Sequence, residues 1–317
     1  MNKVLIKRII RKIRREIYAP IRFKTGIDVY RKLKTNKRSD SATVVLTHLI
    51  GDSIYGLSCI ENIKKKYGFV YVIGNEKYKD IFDSYGCIDE LILINDKSEY
   101  DKIECFLNSP FLSRRAKKYK IFNTNPCIYP ELLYGCKEDA ISLIARRILG
   151  FDYEGVSYHK LGEIKVEAIK GFYDNCHRIV VINPYSTSVS FVDMELYKGI
   201  CKLLSIRGFY VYTNVVGNQK AIDGSMELRC SITELYSIAR HISLVVSVRS
   251  GILDLLAASG VGMFVIYENC NKNFQNMYRL SGWKTISRLR EINADQLDKT
   301  AILKELETFI IEGKGNT

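Results

Sequence analysis

The residues able to do chemistry gather in three short turns. The first, residues 47–53 (T-H-L-I-G-D-S), sets Gly51 beside Asp52. A glycine there permits close approach of a substrate, and the aspartate is a carboxylate suited to general-base work. The second, residues 248–258 (V-R-S-G-I-L-D-L-L-A-A), places the backbone N–H groups of Ser250 and Gly251 at a strand-to-helix turn, with the full positive charge of Arg249 next to them. That arrangement suits a diphosphate and does without a metal the work that magnesium does elsewhere. The third, residues 213–219 (T-N-V-V-G-N-Q), is a polar turn whose Gly217 lets a substrate approach. Plainer readings stand beside the first two: Asp52 also fits a helix N-cap, and Arg249 also fits an ion pair with Asp254 made for structural reasons.

Around these turns the chain alternates short β-branched runs with helical stretches. Residues 42–47 (A-T-V-V-L-T) read as a buried strand, 48–52 as a turn and 53–66 as a helix. Strands at 70–73, 91–94 and 119–122 follow, then a helix at 137–149 ended by Gly150. Residues 151–175 are irregular and largely polar, as a hinge is. A second series opens with the strand 178–183 (R-I-V-V-I-N), closed by Pro184. It continues through helix 194–206, strand 209–213, helix 232–241, strand 244–248, helix 252–258, strand 262–267 and a closing helix at 296–311, with a disordered tail at 312–317. Alternation of this kind predicts an α/β protein of two Rossmann-like domains, each a parallel sheet covered by helices. Ligands of such sheets bind beyond the carboxyl ends of the strands, where the three turns lie.

Composition agrees with that organisation. The 317 residues exceed the size at which one core stops growing, and 47% of them are hydrophobic, enough for two domains of about 130 to 150 residues. The boundaries predicted are a basic amphipathic segment at 1–40, an N-terminal acceptor domain at 41–160 and a C-terminal donor domain at 161–317. Nine cysteines, odd in number and without a C-x-x-C pair, argue against a disulfide scaffold and a zinc ribbon, and for a reducing compartment. The four histidines lack metal-ligand spacing, so no protein metal site is expected. There is no G-x-x-x-x-G-K-[ST], no G-x-G-x-x-G after the first strand and no G-x-S-x-G, which removes support for a P-loop NTPase, an ordinary nicotinamide dehydrogenase and an α/β-hydrolase.

The net charge of +13 is concentrated. Residues 1–40 carry 14 Lys/Arg against Glu16, Asp28 and Asp40, a net of +11, leaving +2 on the other 277 residues. Within 1–17, Ile6, Ile10, Ile13 and Ile17 recur at helical spacing opposite Lys3, Lys7, Arg11, Arg14 and Arg15. The pattern predicts a basic amphipathic helix that buries its isoleucines at a headgroup boundary, each nearby cation gaining about 1 kcal/mol from anionic lipid. A helix packed on the protein's own surface, or a loose basic arm, fits the same residues. No aromatic platform or recognition motif accompanies the charge, so nucleic acid is not an expected partner. No run reaches the 18 apolar residues of a spanning helix, and the N-terminus lacks the apolar region of a secretory signal.

The order of motifs resembles the ADP-heptose:lipopolysaccharide heptosyltransferase family and its relatives. Its carriers are the Gly-Asp turn in I-G-D-S at 50–53, a turn at Asn183-Pro184-Tyr185 resembling the family's His-Pro-Gly, and S-I-T-E-L-Y-S-I-A-R at 231–240. A turn resembling Asp-[ST]-Gly-x-x-His-x-x-[AG]-A follows at 249–258, and the resemblance covers about 42–310. It implies the GT-B arrangement of two facing Rossmann-like domains and an inverting transfer of a hexosyl, heptosyl or deoxyhexosyl group. The donor is a nucleoside-diphosphate sugar, used as substrate with no further cofactor. The acceptor is a hydroxyl of a lipopolysaccharide core, O-antigen or capsule glycan, and the enzyme works at the cytoplasmic face of a bacterial membrane. By this resemblance Asp52 is the base and Arg249, Ser250 and Gly251 hold the diphosphate, with Asn183, Tyr185, Asn214 and Gln219 lining the cleft. This chain departs from the family at three places: Arg249 stands for the aspartate, Asp254 for the histidine, and the lysine expected at 186–191 is missing. The departures imply a sugar other than heptose, Arg249 taking the lysine's electrostatic role and Asp254 accepting from a sugar or ribose hydroxyl. A non-catalytic nucleotide-sugar-binding or scaffold protein, or another Rossmann enzyme such as an epimerase or methyltransferase, remains open on fold alone.

Overall fold

The computed structural model describes residues 38, 40–46, 49–95, 98, 103, 120–125, 140–150, 161–186, 193–268, 278–283 and 285–314. The expected amphipathic helix at the N-terminus lies outside these residues, as do Thr47 and His48 of the first turn. The chain divides into two compact units, one of Met1–Ile128 with Ile144–Ser157, the other of Tyr129–Leu143 with Tyr158–Thr317.

In the first unit the apolar run becomes β1 (Ser41–Val45), buried along its whole length because parallel strands are covered on both faces. It is followed by α1 (Ile50–Leu57), α2 (Ile60–Tyr67), β2 (Phe69–Asn75), α3 (Lys79–Asp83), β3 (Glu90–Ile94) and β4 (Ile121–Asn123). The sheet is parallel in the order β3-β2-β1-β4. Two expectations are corrected here. The helix starts at Ile50, so Gly51 belongs to its first turn and not to a preceding loop. It also breaks in two, because the Ser58 hydroxyl donates to the Tyr55 carbonyl at 2.7 Å and offers the backbone an alternative to the next helical bond. The predicted strand at 119–122 is displaced to Ile121–Asn123. The helix expected at 137–149 appears as Ala140–Leu143, continues as a wider turn over Ile144–Leu149 and stops at Gly150, whose φ of 74° suits glycine.

The second unit contains β5 (Ile179–Asn183), α4 (Met194–Ile206), β6 (Tyr210–Asn214), β7 (Met226–Leu228), α5 (Ile232–Ala239), β8 (Leu244–Val248), α6 (Ile252–Leu256), β9 (Gly262–Tyr267), β10 (Leu289–Asn293) and α7 (Lys299–Lys314). Its six strands are parallel in the order β10-β9-β8-β5-β6-β7. Helices α4 and α5 each start at a residue whose side chain caps them. Asp193 accepts from the N–H groups of Glu195 and Leu196, and Ser231 accepts from that of Glu234. The core lies between the sheet and its helices, with Val180, Ile182, Tyr197, Ile200, Leu204, Val246, Phe264, Ile266, Leu306 and Phe309 among its buried residues.

Strands β7 and β10 escape sequence reading: the first has three residues, and the second, L-R-E-I-N, is half polar. The boundary between the two units falls within the stretch expected to be a hinge, at Ser157/Tyr158, and the described part of that stretch packs on the second unit. Leu161, Val166, Ile169 and Phe172 are buried, and the backbone N–H groups of Ile164, Glu167 and Ala168 donate to the side chains of Ser237 and Glu234 on α5. Polar side chains on a neighbouring helix thus satisfy a segment that has no ladder of its own. The tail expected to be disordered from 312 continues α7 through Lys314.

Candidate functional site

In open parallel sheets a ligand crevice forms where the strand order reverses, at the carboxyl ends. The first sheet reverses between β1 and β4, the second between β5 and β8.

At the first reversal stands Asp52, the third residue of α1 and 8% exposed. The N-cap is Leu49, so Asp52 is not the N-cap residue but stands in the first turn of the helix. Gly56, one turn further along the same helix face, is pressed against the sheet: an added Cβ would lie 2.6 Å from both Leu46 Cδ2 and Thr124 Oγ1. That contact brings the α1 face carrying Asp52 over the end of β4. There Asn123 accepts the Asn125 N–H at 3.0 Å while its Nδ2 is buried without a hydrogen bond. Thr124 pins the strand end by donating to the Val45 carbonyl. Asn123 was not among the residues expected from sequence; its place at the end of a short apolar strand is the signal that marks it. Gly56→Ala is expected to destabilise the first unit by about 1–3 kcal/mol through overpacking, measured by denaturant unfolding.

At the second reversal Asn183 ends β5 opposite Ser247, whose hydroxyl donates to its carbonyl at 3.1 Å. Asn183 is 3% exposed and both polar atoms of its side chain lack a hydrogen bond. Beyond β8, Arg249 is buried. Its Nη2 donates to both carboxylate oxygens of Asp254 at 2.8 and 2.9 Å, its Nε to the Tyr278 carbonyl at 2.7 Å, and its Nη1 to the Ser250 carbonyl. Asp254, 1% exposed, also accepts the Trp283 indole N–H at 3.0 Å. The two positions at which this chain departs from the heptosyltransferase motif therefore pair with each other, the plainer of the two readings of this turn. Ser250 presents a buried hydroxyl without a partner. Gly251 caps α6, a helix of only five residues that runs into a single tighter turn at Ala257–Ser259.

The remaining expected residues stand on the β6 side, away from the reversal. Asn214 ends β6, and Gln219 closes its turn by accepting the Val216 N–H at 2.9 Å. Arg229 donates to the carbonyls of Gly217 and Gln219, and the Tyr185 hydroxyl donates to that of Lys220. These contacts brace a turn.

Two buried residues at the β5/β8/β9 edge were not expected from sequence. Glu268 directly follows β9; burial pushes its carboxyl from 4.5 up to about 7, the nearby Asp193 backbone opposes this, and the charges of Asp193 and Asp295 add to it. Tyr197, in the first turns of α4, is fully buried with an unpartnered hydroxyl. Burial raises its pKa well above 10, with the charges of Glu268 and Asp193 contributing. Tyr197 is hidden in sequence because its helix face reads as core, whereas Glu268 stands at a strand end where ligands bind.

The raised carboxyl has a consequence for stability. The folded chain holds the Glu268 proton more tightly than the unfolded chain, so the stabilisation is complete below about pH 4.5 and lost as pH rises through about 7. Glu268→Gln, which keeps the neutral shape, is expected to unfold at the same temperature as the parent protein near pH 4.5 and at a higher one near pH 8. The difference at pH 8 is roughly 3 kcal/mol at most, read by thermal melts across pH.

No protein-family model and no curated protein matches the sequence. Among solved structures, the glycosyl transferase family 9 protein from Veillonella parvula superposes with a TM-score of 0.60 at 13% identity, over 86% of this chain and 97% of that one. E. coli ADP-heptose lps heptosyltransferase II gives 0.55 at 12% identity, over 86% and 99%. E. coli heptosyltransferase WaaC with ADP gives 0.56 at 11% identity, over 85% and 99%. With two parallel Rossmann-like sheets and near-complete coverage of these structures, the chain has the GT-B-like fold of the heptosyltransferases and of glycosyl transferase family 9.

Proposed function

We propose that the chain is a glycosyltransferase that moves a sugar from a nucleoside-diphosphate sugar to a hydroxyl of a bacterial cell-surface glycan. Lipopolysaccharide core, O-antigen and capsule are the acceptor classes, and the transfer inverts the anomeric centre without a bound metal. The observation that supports it most is that both strand-order reversals carry buried polar side chains suited to the two halves of such a reaction. The first holds the carboxylate Asp52, and the second holds Asn183 and Ser250 with unspent hydrogen-bonding atoms. Asp52, ionised, takes the proton of the acceptor hydroxyl as its oxygen attacks the anomeric carbon from the side opposite the diphosphate. The bond from that carbon to the diphosphate oxygen breaks, and the nucleoside diphosphate leaves. Ser250 and the Gly251 N–H meet the donor, and the Arg249–Asp254 pair fixes the turn that presents them. Asn183 reaches the donor beside them, while Tyr185, Asn214 and Gln219 shape the neighbouring turn.

Screening nucleoside-diphosphate sugars by thermal shift identifies the donor, because a ligand at 100 times its Kd adds about 2.7 kcal/mol to stability. Release of nucleoside diphosphate from that donor with a glycan acceptor, unchanged in EDTA, then tests the reaction. Donor binding without any release or hydrolysis identifies a non-catalytic binding protein instead.

The basic segment at 1–20 holds the enzyme to anionic lipid on the cytoplasmic face of the membrane, where such glycans are assembled. Among the described residues no helix is long and apolar enough to cross a membrane. The full chain is expected to float with phosphatidylglycerol vesicles, and a chain lacking residues 1–20 to stay in the dense fraction at about 0.15 M salt. Equal flotation of both removes the membrane role.

A further inference from the structure

The helix that carries Asp52 starts without a side-chain cap of its own. Its N-cap, Leu49, has the extended backbone that a capping residue takes (φ −102°, ψ 140°), but its side chain has no oxygen to accept the first amide groups. Such groups then need an acceptor from elsewhere. The next strand supplies one. β2 ends at Asn75, whose side chain accepts the Lys77 N–H at 3.0 Å and so caps the single tight turn Glu76–Tyr78. The Leu46 N–H donates to the Ile73 carbonyl at 3.0 Å, which keeps the ends of β1 and β2 side by side. The turn after β2 thereby brings Tyr78 to the start of α1. Burial raises the pKa of its hydroxyl, and the Ile50 backbone opposes this, as an N–H lying against the phenolic oxygen does. Tyr78 is 8% exposed, and its ring stands edge-on to Phe82 at 6.4 Å and beneath the Lys77 ammonium at 5.6 Å.

We propose that Tyr78 is a positioning residue for Asp52: its hydroxyl supplies the cap that α1 lacks and holds the first helical turn, and with it the carboxylate that takes the acceptor's proton. The inference rests on the reading of Asp52 as the base and names the residue that aims it. Ile50, Gly51 and Asp52 are the first three residues of the helix, so a hold on the first amide fixes the Asp52 backbone about 3 Å further along the axis. A general base must stand within about 3 Å of the proton it takes, and a misplacement of about 1 Å costs about a hundredfold in rate. One turn beyond Asp52 the Gly56 backbone is pressed against Thr124, so Tyr78 and Thr124 hold the two ends of α1.

The test is Tyr78→Phe in the full chain, alone and together with Leu49→Ser, which puts a capping hydroxyl on a residue that is already extended and 47% exposed. Amide hydrogen exchange of the ligand-free protein reads the helix start. Release of nucleoside diphosphate from UDP-glucose, ADP-glucose and GDP-mannose, with purified lipopolysaccharide as acceptor, reads the rate. Tyr78→Phe is expected to speed exchange at residues 50–53 and to lower kcat about 10- to 100-fold, with donor affinity unchanged and the acid limb of the pH profile kept. Adding Leu49→Ser is expected to restore both. Parent exchange or a parent rate in Tyr78→Phe overturns the inference. So does a double variant that regains slow exchange but not its rate, since the hydroxyl then touches the substrate itself. If Tyr78→Phe does not fold, Asn75→Ala decides: it loosens the turn that carries the hydroxyl and is expected to lower kcat, and a parent rate in it overturns the inference. If none of the three donors is turned over, exchange decides alone. Asp52→Asn keeps the two readings apart. Its loss of turnover beside a parent rate in Tyr78→Phe removes the role of Tyr78 only, whereas a parent rate in Asp52→Asn removes the base on which Tyr78 acts.

Discussion

Asp52→Asn is expected to lower turnover by about two to four orders of magnitude, the range that a positioned general base contributes. The substitution keeps the shape and burial of the side chain and removes only its ability to take a proton, so the melting temperature and donor affinity should change little. Asp52 occupies the third position of α1, where a negative charge also interacts with the helix N-terminus. That interaction is worth about 0.3–1 kcal/mol, and its loss is the whole effect if the residue serves the helix alone. Steady-state rates with saturating donor and acceptor, set beside thermal melts, separate the two. A variant that turns over like the parent and melts slightly lower removes Asp52 from the reaction. The pH profile offers a second check: the base works only ionised, so the parent's rate should fall on the acid side while the residual rate of Asp52→Asn should lack that limb.

Arg249→Ala is expected to have the largest effect on stability. The guanidinium and the Asp254 carboxylate are 4% and 1% exposed and joined by two hydrogen bonds, so truncating one partner strands a buried charge. Breaking such a pair costs about 3–5 kcal/mol. For a unit of this size that corresponds to a fall in melting temperature of roughly 10 °C. The double variant Arg249→Met with Asp254→Leu should recover most of the loss, because replacing both members leaves no uncompensated charge. Recovery should stop short of complete, since the Trp283 indole N–H then loses its acceptor. The opposite result, an Arg249→Ala protein that melts like the parent and binds nucleotide poorly, returns the arginine to the diphosphate. Melting curves of the single and double variants, with donor titrations of each, read both possibilities.

The two predictions also bear on the inheritance of the turn at 249–258. A carboxylate and a histidine in the family motif are answered here by an arginine and a carboxylate, and these two side chains bond to each other.

Much of this protein was legible in its sequence. Continuous β-branched runs at 42–45, 179–183, 244–248 and 262–267 can only be strands covered on both faces, and the helical stretches between them force a parallel sheet. From the sheet follows the location of ligand chemistry at the strand ends, the rule that singled out the turns of Asp52 and Ser250 as candidates, whereas Asn183 came from the family resemblance. The starts of the helices at 194 and 232 were legible as well, and Asp193 and Ser231 cap them.

What tertiary structure alone decided were matters of distance between residues far apart in sequence. Whether Arg249 meets a ligand or Asp254 depends on burial around Tyr278 and Trp283, which sequence spacing does not report. The order of the strands, and with it the reversal between β5 and β8, depends on which edges pair, and the short strands β7 and β10 carry too few apolar residues to announce themselves. Glu268 and Tyr197 come together because β9 and α4 converge on one edge, and the carboxyl there reaches about 7 only through the burial that the packed chain supplies. Periodicity is a local property of the chain and fixes elements; desolvation and pairing are properties of the assembled core and fix what each polar side chain is left to do.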